Sequence, residues 1–151
     1  MKIVIAMDSF KGSLTSLEAG EAAAKGVTDS LPDSEIILMP LADGGEGTVS
    51  AIVNALGGEM VPAVVRGPLG TLIESSYGMV CAADDTGTSR VTALIEAADA
   101  AGLTKVPSSL RNPRKTTTAG LGDLIRHAVT RGIKDFVIGI GGSATNDCGL
   151  G

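Results

Sequence analysis

The chain has 151 residues, a formal net charge of -5, and a 44% apolar composition holding one Tyr, two Phe and no Trp. That length suits one domain or pieces of two, and that apolar share excludes a disordered chain. The acidic balance, with no basic run or basic-aromatic stripe, excludes a nucleic-acid-binding module, and no stretch is apolar for long enough to cross a bilayer. Net acidity does not exclude a nucleotide, because magnesium can screen phosphates. A core of Ala, Val, Ile and Leu with 21 glycines suits α/β layers, where strands are covered on both faces. Cys81 and Cys148 lie far apart without metal-ligand spacing. They read as two free thiols of a reducing, cytoplasmic compartment.

The first element is a continuous apolar run, Lys2–Met7, read as a buried strand. A loop, Asp8-Ser9-Phe10-Lys11-Gly12-Ser13, precedes a capping box, Thr15-Ser16-Leu17-Glu18. The helix it opens is expected to reach about Ser30, with Ala19, Ala22, Ala23 and Val27 toward the core and Pro32 ending it. Residues 35–39 are the second strand. The loop Pro40-Leu41-Ala42-Asp43-Gly44-Gly45-Glu46-Gly47-Thr48 follows, then a helix with Val49, Ile52, Val53 and Leu56 at helical spacing, closed by Gly57-Gly58. Parallel pairing of the first two strands is the default. Residues 59–65, a Gly67-Pro68-Leu69-Gly70 turn and residues 72–79 read as a β-ribbon. Residues 81–89 are polar and turn-rich and read as a linker. Residues 90–96 resume as a strand, and a short Ala-rich helix ends at Gly102. A clear amphipathic helix then places Leu121, Leu124, Ile125, Ala128 and Val129 on one face, ending at Gly132. His127 falls outside that face and reads as solvated. Residues 135–140 are the last strand, and Met7, Met39 and Met79 read as core filler.

Four loops carry chemistry. The last, residues 139–151, reads GIGGSATNDCGLG and contains Gly139-x-Gly141-x-x-Ala144, a formal match to the dinucleotide fingerprint. Its Ser143, Thr145, Asn146 and Asp147 sit beside free backbone amides, which together can cradle phosphate or hold a metal. The alternative is a glycine turn capped by Asn or Asp. Asp43 and Glu46 stand three apart across glycines at a helix start, either capping amides or holding magnesium and substrate hydroxyls. Asp8 follows the first strand at its carboxyl end, the edge where open α/β sheets bind ligands, and is a candidate base or metal ligand; Lys11 is a candidate partner for a carboxylate or phosphate. Asn112-Pro113-Arg114-Lys115-Thr116-Thr117-Thr118 places two cations before three hydroxyls at a helix N-terminus, suited to an anion or to Thr capping. No Walker-type P-loop is present, and no Ser/His/Asp triad can be built around His127.

Taken in order, these loops and the Gly67-Pro68-Leu69-Gly70 turn resemble the bacterial glycerate kinase family, the type with two α/β domains. The resemblance covers essentially the whole chain and matches the family's N-terminal portion, so this chain is expected to be a partial copy. It implies a flavodoxin-like or Rossmann-like parallel layer, incomplete, in residues 1–84, and the start of a second α/β domain in residues 85–151. It implies transfer of the γ-phosphoryl of ATP to D-glycerate with Mg²⁺, giving 2- or 3-phosphoglycerate. The implied catalytic residues are Asp147, Asp8 and Lys11. The implied substrate- or phosphate-binding residues are Ser9, Asp43, Gly44, Gly45, Glu46, Arg114, Thr117, Gly141, Gly142, Ser143, Thr145 and Asn146. Asp147 and Asp43 are the implied magnesium ligands. The partners are glycerate and a nucleotide, with no nucleic acid and no membrane, and a homo-oligomer is left open. The competing expectations are an inactive fragment with weak ligand binding, or a dinucleotide-binding domain. Cys148 stands where the family favours a small residue, commonly glycine.

Overall fold

The computed structural model describes residues 1–10, 13–83 and 87–151. The chain divides into two compact units, Met1–Asp43 and Gly44–Gly151. The expected boundary between residues 84 and 85 lies outside the described residues.

In the first unit, β1 (Lys2–Met7) pairs in parallel with β2 (Glu35–Pro40), with Ile5 opposite Leu38. Between them runs α1 (Ser16–Ser30). Its capping box is complete: the Thr15 hydroxyl accepts the Glu18 N–H at 3.2 Å, and the Glu18 carboxylate accepts the Thr15 N–H at 2.8 Å. The core face of α1 is shifted from the expected stripe. Ala19 and Gly20 are buried, whereas Ala22 is exposed. Gly20 faces Leu38 of β2, and a Cβ there would meet that side chain at an ordinary contact distance of 3.5 Å.

The second unit is a four-stranded mixed sheet in the order β3-β4-β5-β6. β3 (Glu59–Arg66) and β4 (Leu72–Ala83) form the expected ribbon, and β4 pairs antiparallel with β5 (Ser89–Glu96). β6 (Asp135–Gly139) is parallel to β5 and is reached through α3 (Ala97–Ala101) and α4 (Ala119–Thr130). Cys81 therefore lies in a strand, opposite Val91, and not in a linker. A polar composition did not prevent pairing, because the β4–β5 register carries on from the apolar residues before it.

Period-two alternation divides the sheet between two cores. On one face Val61, Val65, Tyr77, Ala93 and Ile95 pack with Ala100, Leu124, Ala128 and Ile133. On the other, Val80 and Leu94 pack with Val49 and Val53 of α2 (Thr48–Leu56). Gly78 faces α2, and any Cβ there would overlap the Val53 and Val49 side chains. Leu56 and Val129, both expected in the core, are 58% and 53% exposed, at the ends of their stripes. Met39 is exposed as well, unlike a core filler. His127 is half-buried rather than solvated: its Nδ1 lies 3.3 Å from the Tyr77 hydroxyl, and the two rings meet edge to face at 5.7 Å.

Candidate functional site

Within the second unit, the loop before α2, the Pro68 turn, the threonines before α4 and the loop after β6 are bonded to one another. Gly44 and Gly47 both have φ of +88°, a left-handed conformation that glycine adopts without strain. The Gly44 carbonyl accepts the Gly141 N–H at 3.0 Å. Gly139 and Gly141 have no room for a Cβ, which would stand 2.6 Å from the Gly44 carbonyl and 2.7 Å from the Gly45 nitrogen. Gly139 and Gly141 are thus required by the backbone of the loop before α2, and Gly44 and Gly47 by their own left-handed φ.

The loop after β6 is held from several sides. The Gly142 carbonyl accepts the Leu103 N–H, and the Ala144 N–H donates to the Ala101 carbonyl, both at 2.9 Å. The Ser143 and Thr145 hydroxyls are 2.9 Å apart, and Asn146 is exposed. After β6 the chain enters turns, not a helix, so the structural context of a dinucleotide fingerprint is not met.

Thr116, Thr117 and Thr118 do three different jobs. The buried Thr116 hydroxyl donates to the Ala144 carbonyl at 2.7 Å. The Thr117 N–H donates to the Pro68 carbonyl at 3.0 Å, and its hydroxyl accepts the Ala119 N–H at 3.1 Å, a short-range cap for α4. Thr118 donates both its N–H, at 2.7 Å, and its hydroxyl, at 3.0 Å, to Asp147. Asp147 also accepts the Gly149 N–H at 3.2 Å. The Thr118 N–H is the first reason that the Asp147 carboxyl is held below the ordinary carboxylate range; partial burial opposes it, and the Thr118 hydroxyl and Gly149 N–H add to the lowering. Asp147 is an anchor between the last loop and the start of α4, and it occupies an amide that an external anion would otherwise use. Cys148 follows at φ of +53°, the one non-glycine positive φ among the described residues. That conformation is the physical reason a glycine would suit the position.

A cavity of about 210 Å³ opens beside residues 46–47, lined by Glu46, Gly47, Glu96, Ala98, Asp99, Thr104 and Lys105. Glu46 accepts the Thr104 hydroxyl at 2.8 Å. Burial would raise Asp99, but the Ser76 N–H at 2.8 Å, Lys105 at 3.1 Å and the Ser75 hydroxyl outweigh it and hold the carboxyl low. Glu96, which the sequence reading did not single out, is buried and accepts the Thr48 N–H at 2.7 Å. The available signal was an acid closing the apolar run of residues 91–95.

Arg114 and Lys115 are exposed on a turn in which the Asn112 side chain accepts the Arg114 N–H at 3.1 Å. In the first unit, Asp8 is exposed and accepts the N–H of half-buried Ser9 at 2.6 Å, and Asp43 is exposed. Lys11 lies outside the described residues. No group of three or more His, Cys, Asp or Glu suited to a metal occurs among the described residues. No described helix is long and apolar enough to cross a membrane.

The model of the glycerate kinase family matches residues 3–151. Proteins named glycerate kinase from Bacillus subtilis and Haemophilus influenzae are 49% and 46% identical to this chain over 151 residues, and the glycerate 2-kinase of Escherichia coli is 46% identical. Each match covers 100% of this chain and 38% of the relative. A crystal structure of a Salmonella typhimurium LT2 protein assigned as a glycerate kinase 2 superposes with a TM-score of 0.71 at 48% identity, covering 100% of this chain and 38% of that one. The chain spans 38% of the length of the relatives it matches.

Proposed function

The chain belongs to the glycerate kinase family, and from that premise we propose that it carries part of the site at which ATP phosphorylates D-glycerate. The observation that supports this reading is the bonding of residues 44–48, Pro68, Thr116–118 and residues 139–149 into one backbone-lined cluster. Phosphoryl transfer asks a protein mainly for positioning and charge stabilisation. Backbone amides among glycines, with small hydroxyl side chains beside them, meet that demand.

In this reading Gly141, Gly142, Ser143, Thr145 and Asn146 receive phosphate oxygens, with Gly44, Gly45 and Thr117 as neighbours. Glu46 and Ser9 serve substrate hydroxyls. Lys11 and Arg114 face the glycerate carboxylate or the transferred phosphate. A glycerate hydroxyl attacks the γ-phosphorus, the bond to the bridging oxygen breaks, and ADP departs. Asp8 orients that hydroxyl and takes its proton. Asp147 accepts three donors and so fixes the loop, and Asp147 and Asp43 are the two candidate carboxylates for magnesium. Magnesium supplies neutralisation of the phosphate charge and needs only one or two carboxylates besides phosphate oxygens and water. The name of the Escherichia coli relative, a glycerate 2-kinase, favours 2-phosphoglycerate as the product.

A second reading is that these 151 residues bind ligand without turning it over. It is favoured by Val137, Ile138 and Ile140, on and after the edge strand β6, which are 54%, 38% and 78% exposed. The test is glycerate-dependent ADP release with ATP and Mg²⁺, with the product identified by phosphorus NMR. The expected result from a protein containing this sequence is 2-phosphoglycerate. No glycerate-dependent release from that protein overturns the proposal, whereas ligand binding without release from the 151 residues alone establishes the second reading.

A further inference from the structure

Among the described residues Glu96 is the one buried charged side chain, at 8% exposure. It closes β5 on the face shared with Leu94 and α2, and its register partner in β6 is Gly139. Its carboxylate accepts the Thr48 N–H at 2.7 Å. The Thr48 hydroxyl donates to the Gly45 carbonyl at 2.8 Å and accepts the Gly44 N–H at 3.1 Å. Gly44 in turn receives the Gly141 N–H and fills the space beside Gly139. One carboxylate therefore bonds the base of the first loop and sits in register with the base of the second.

Burying a carboxylate costs several kcal/mol unless it is well paired. The cation lining the same cavity, Lys105, is already bonded to Asp99 at 3.1 Å. What compensates Glu96 is the amide end of α2, whose N-cap, Gly47, offers no side chain. An apolar residue there would leave the Thr48 N–H with only its longer bond to the Gly45 carbonyl, at 3.2 Å, so the acid holds the loop and the helix start together.

We infer that Glu96 is a positioning residue of the phosphoryl-transfer site, setting residues 44–48 at the place where they meet the loop after β6. The inference rests on the function proposed above. The charged groups facing Glu96 are Glu46 on the approach to α2, Asp99 on α3 and Lys105 on the 3-10 turn after it. Burial first, then Asp99 and Glu46, push the Glu96 carboxyl upward, against the Thr48 and Val49 amides that lower it. Protonation weakens the bond to Thr48, and glutamine copies the protonated form.

The experiment pairs ¹H–¹⁵N spectra of the chain through an acid titration with turnover in the protein that contains it, for the unmodified sequence and Glu96→Gln. The Thr48 and Gly141 amides should shift with one shared midpoint, and Glu96→Gln should abolish that step. Glu96→Gln should also lower kcat/KM about tenfold at neutral pH and flatten the acid limb of the profile, while the unfolding midpoint stays close to the original. Amides that do not titrate together overturn the inference, as does a Glu96→Gln enzyme with unchanged turnover and pH profile. A lack of glycerate turnover in the unmodified protein strikes the functional reading alone, because the amide titration decides the loop coupling without substrate.

Discussion

Replacing Asp147 by alanine takes one acceptor from three donors: the Thr118 N–H, the Thr118 hydroxyl and the Gly149 N–H. Loss of an acidic helix cap costs roughly 0.5–2 kcal/mol, and bonds to a charged acceptor run about 1.5–3 kcal/mol. Asp147 is half-buried, so water recovers part of that, and a loss of about 2 kcal/mol is expected. For a chain of this length that is a fall of about 4–8 °C in Tm. Asparagine is less severe but not neutral. Both carboxylate oxygens face N–H donors, so an amide must turn its own NH₂ toward one of them, at a cost of about 1 kcal/mol. The assay is thermal unfolding followed by circular dichroism, with EDTA present. Because the folded pKa of Asp147 is depressed, its contribution is present above the ordinary carboxylate range and is lost as pH falls through the lowered value. The difference between the original chain and Asp147→Ala should therefore close in strong acid. If both variants unfold within about 1 °C of the original in EDTA and diverge only with Mg²⁺ and nucleotide, the anchoring argument is refuted and Asp147 is a metal ligand.

Gly139→Ala should cost about 1–3 kcal/mol, because the new Cβ meets the Gly44 carbonyl; faster exchange of the Gly141 amide would locate the damage, and unchanged exchange would count against the contact. Arg66 donates to Asp123 through Nε and Nη2, both at 2.8 Å, and these bonds, over the opposing effect of burial and with help from Arg126, hold the Asp123 carboxyl at about 2. Arg66→Ala should destabilise the chain above about pH 4, modestly because the arginine is exposed, with the difference fading toward about pH 2 in urea titrations. A difference that persists unchanged into that acid range would show that Asp123 is not its source.

What the sequence made legible was mostly short-range. The Thr15–Glu18 capping box joins residues three apart, and each side chain found its predicted partner. The β3–β4 ribbon and the Leu124–Ala128 face of α4 followed from simple periodicities. The misses have long-range partners. Glu96, which was not singled out, bonds an amide 48 positions away, and the anchoring bonds of Asp147 reach one 29 positions away, so nothing in their neighbourhoods reveals what they hold. His127 was assigned by its helix face, yet it is half-covered by Tyr77, 50 positions earlier. Residue types and loop order pointed to the family, but the division of labour within the loops came from the hydrogen bonds.

Tyr77 has one more consequence. The chain holds a single tyrosine and no tryptophan, and that tyrosine is fully enclosed in the core of the second unit. The molecule thus carries its own optical label, and tyrosine emission follows the 44–151 unit while the 1–43 unit is silent. Far-ultraviolet dichroism follows both. Comparing the two signals along one unfolding curve would reveal, without any attached dye, whether the units melt together or one at a time.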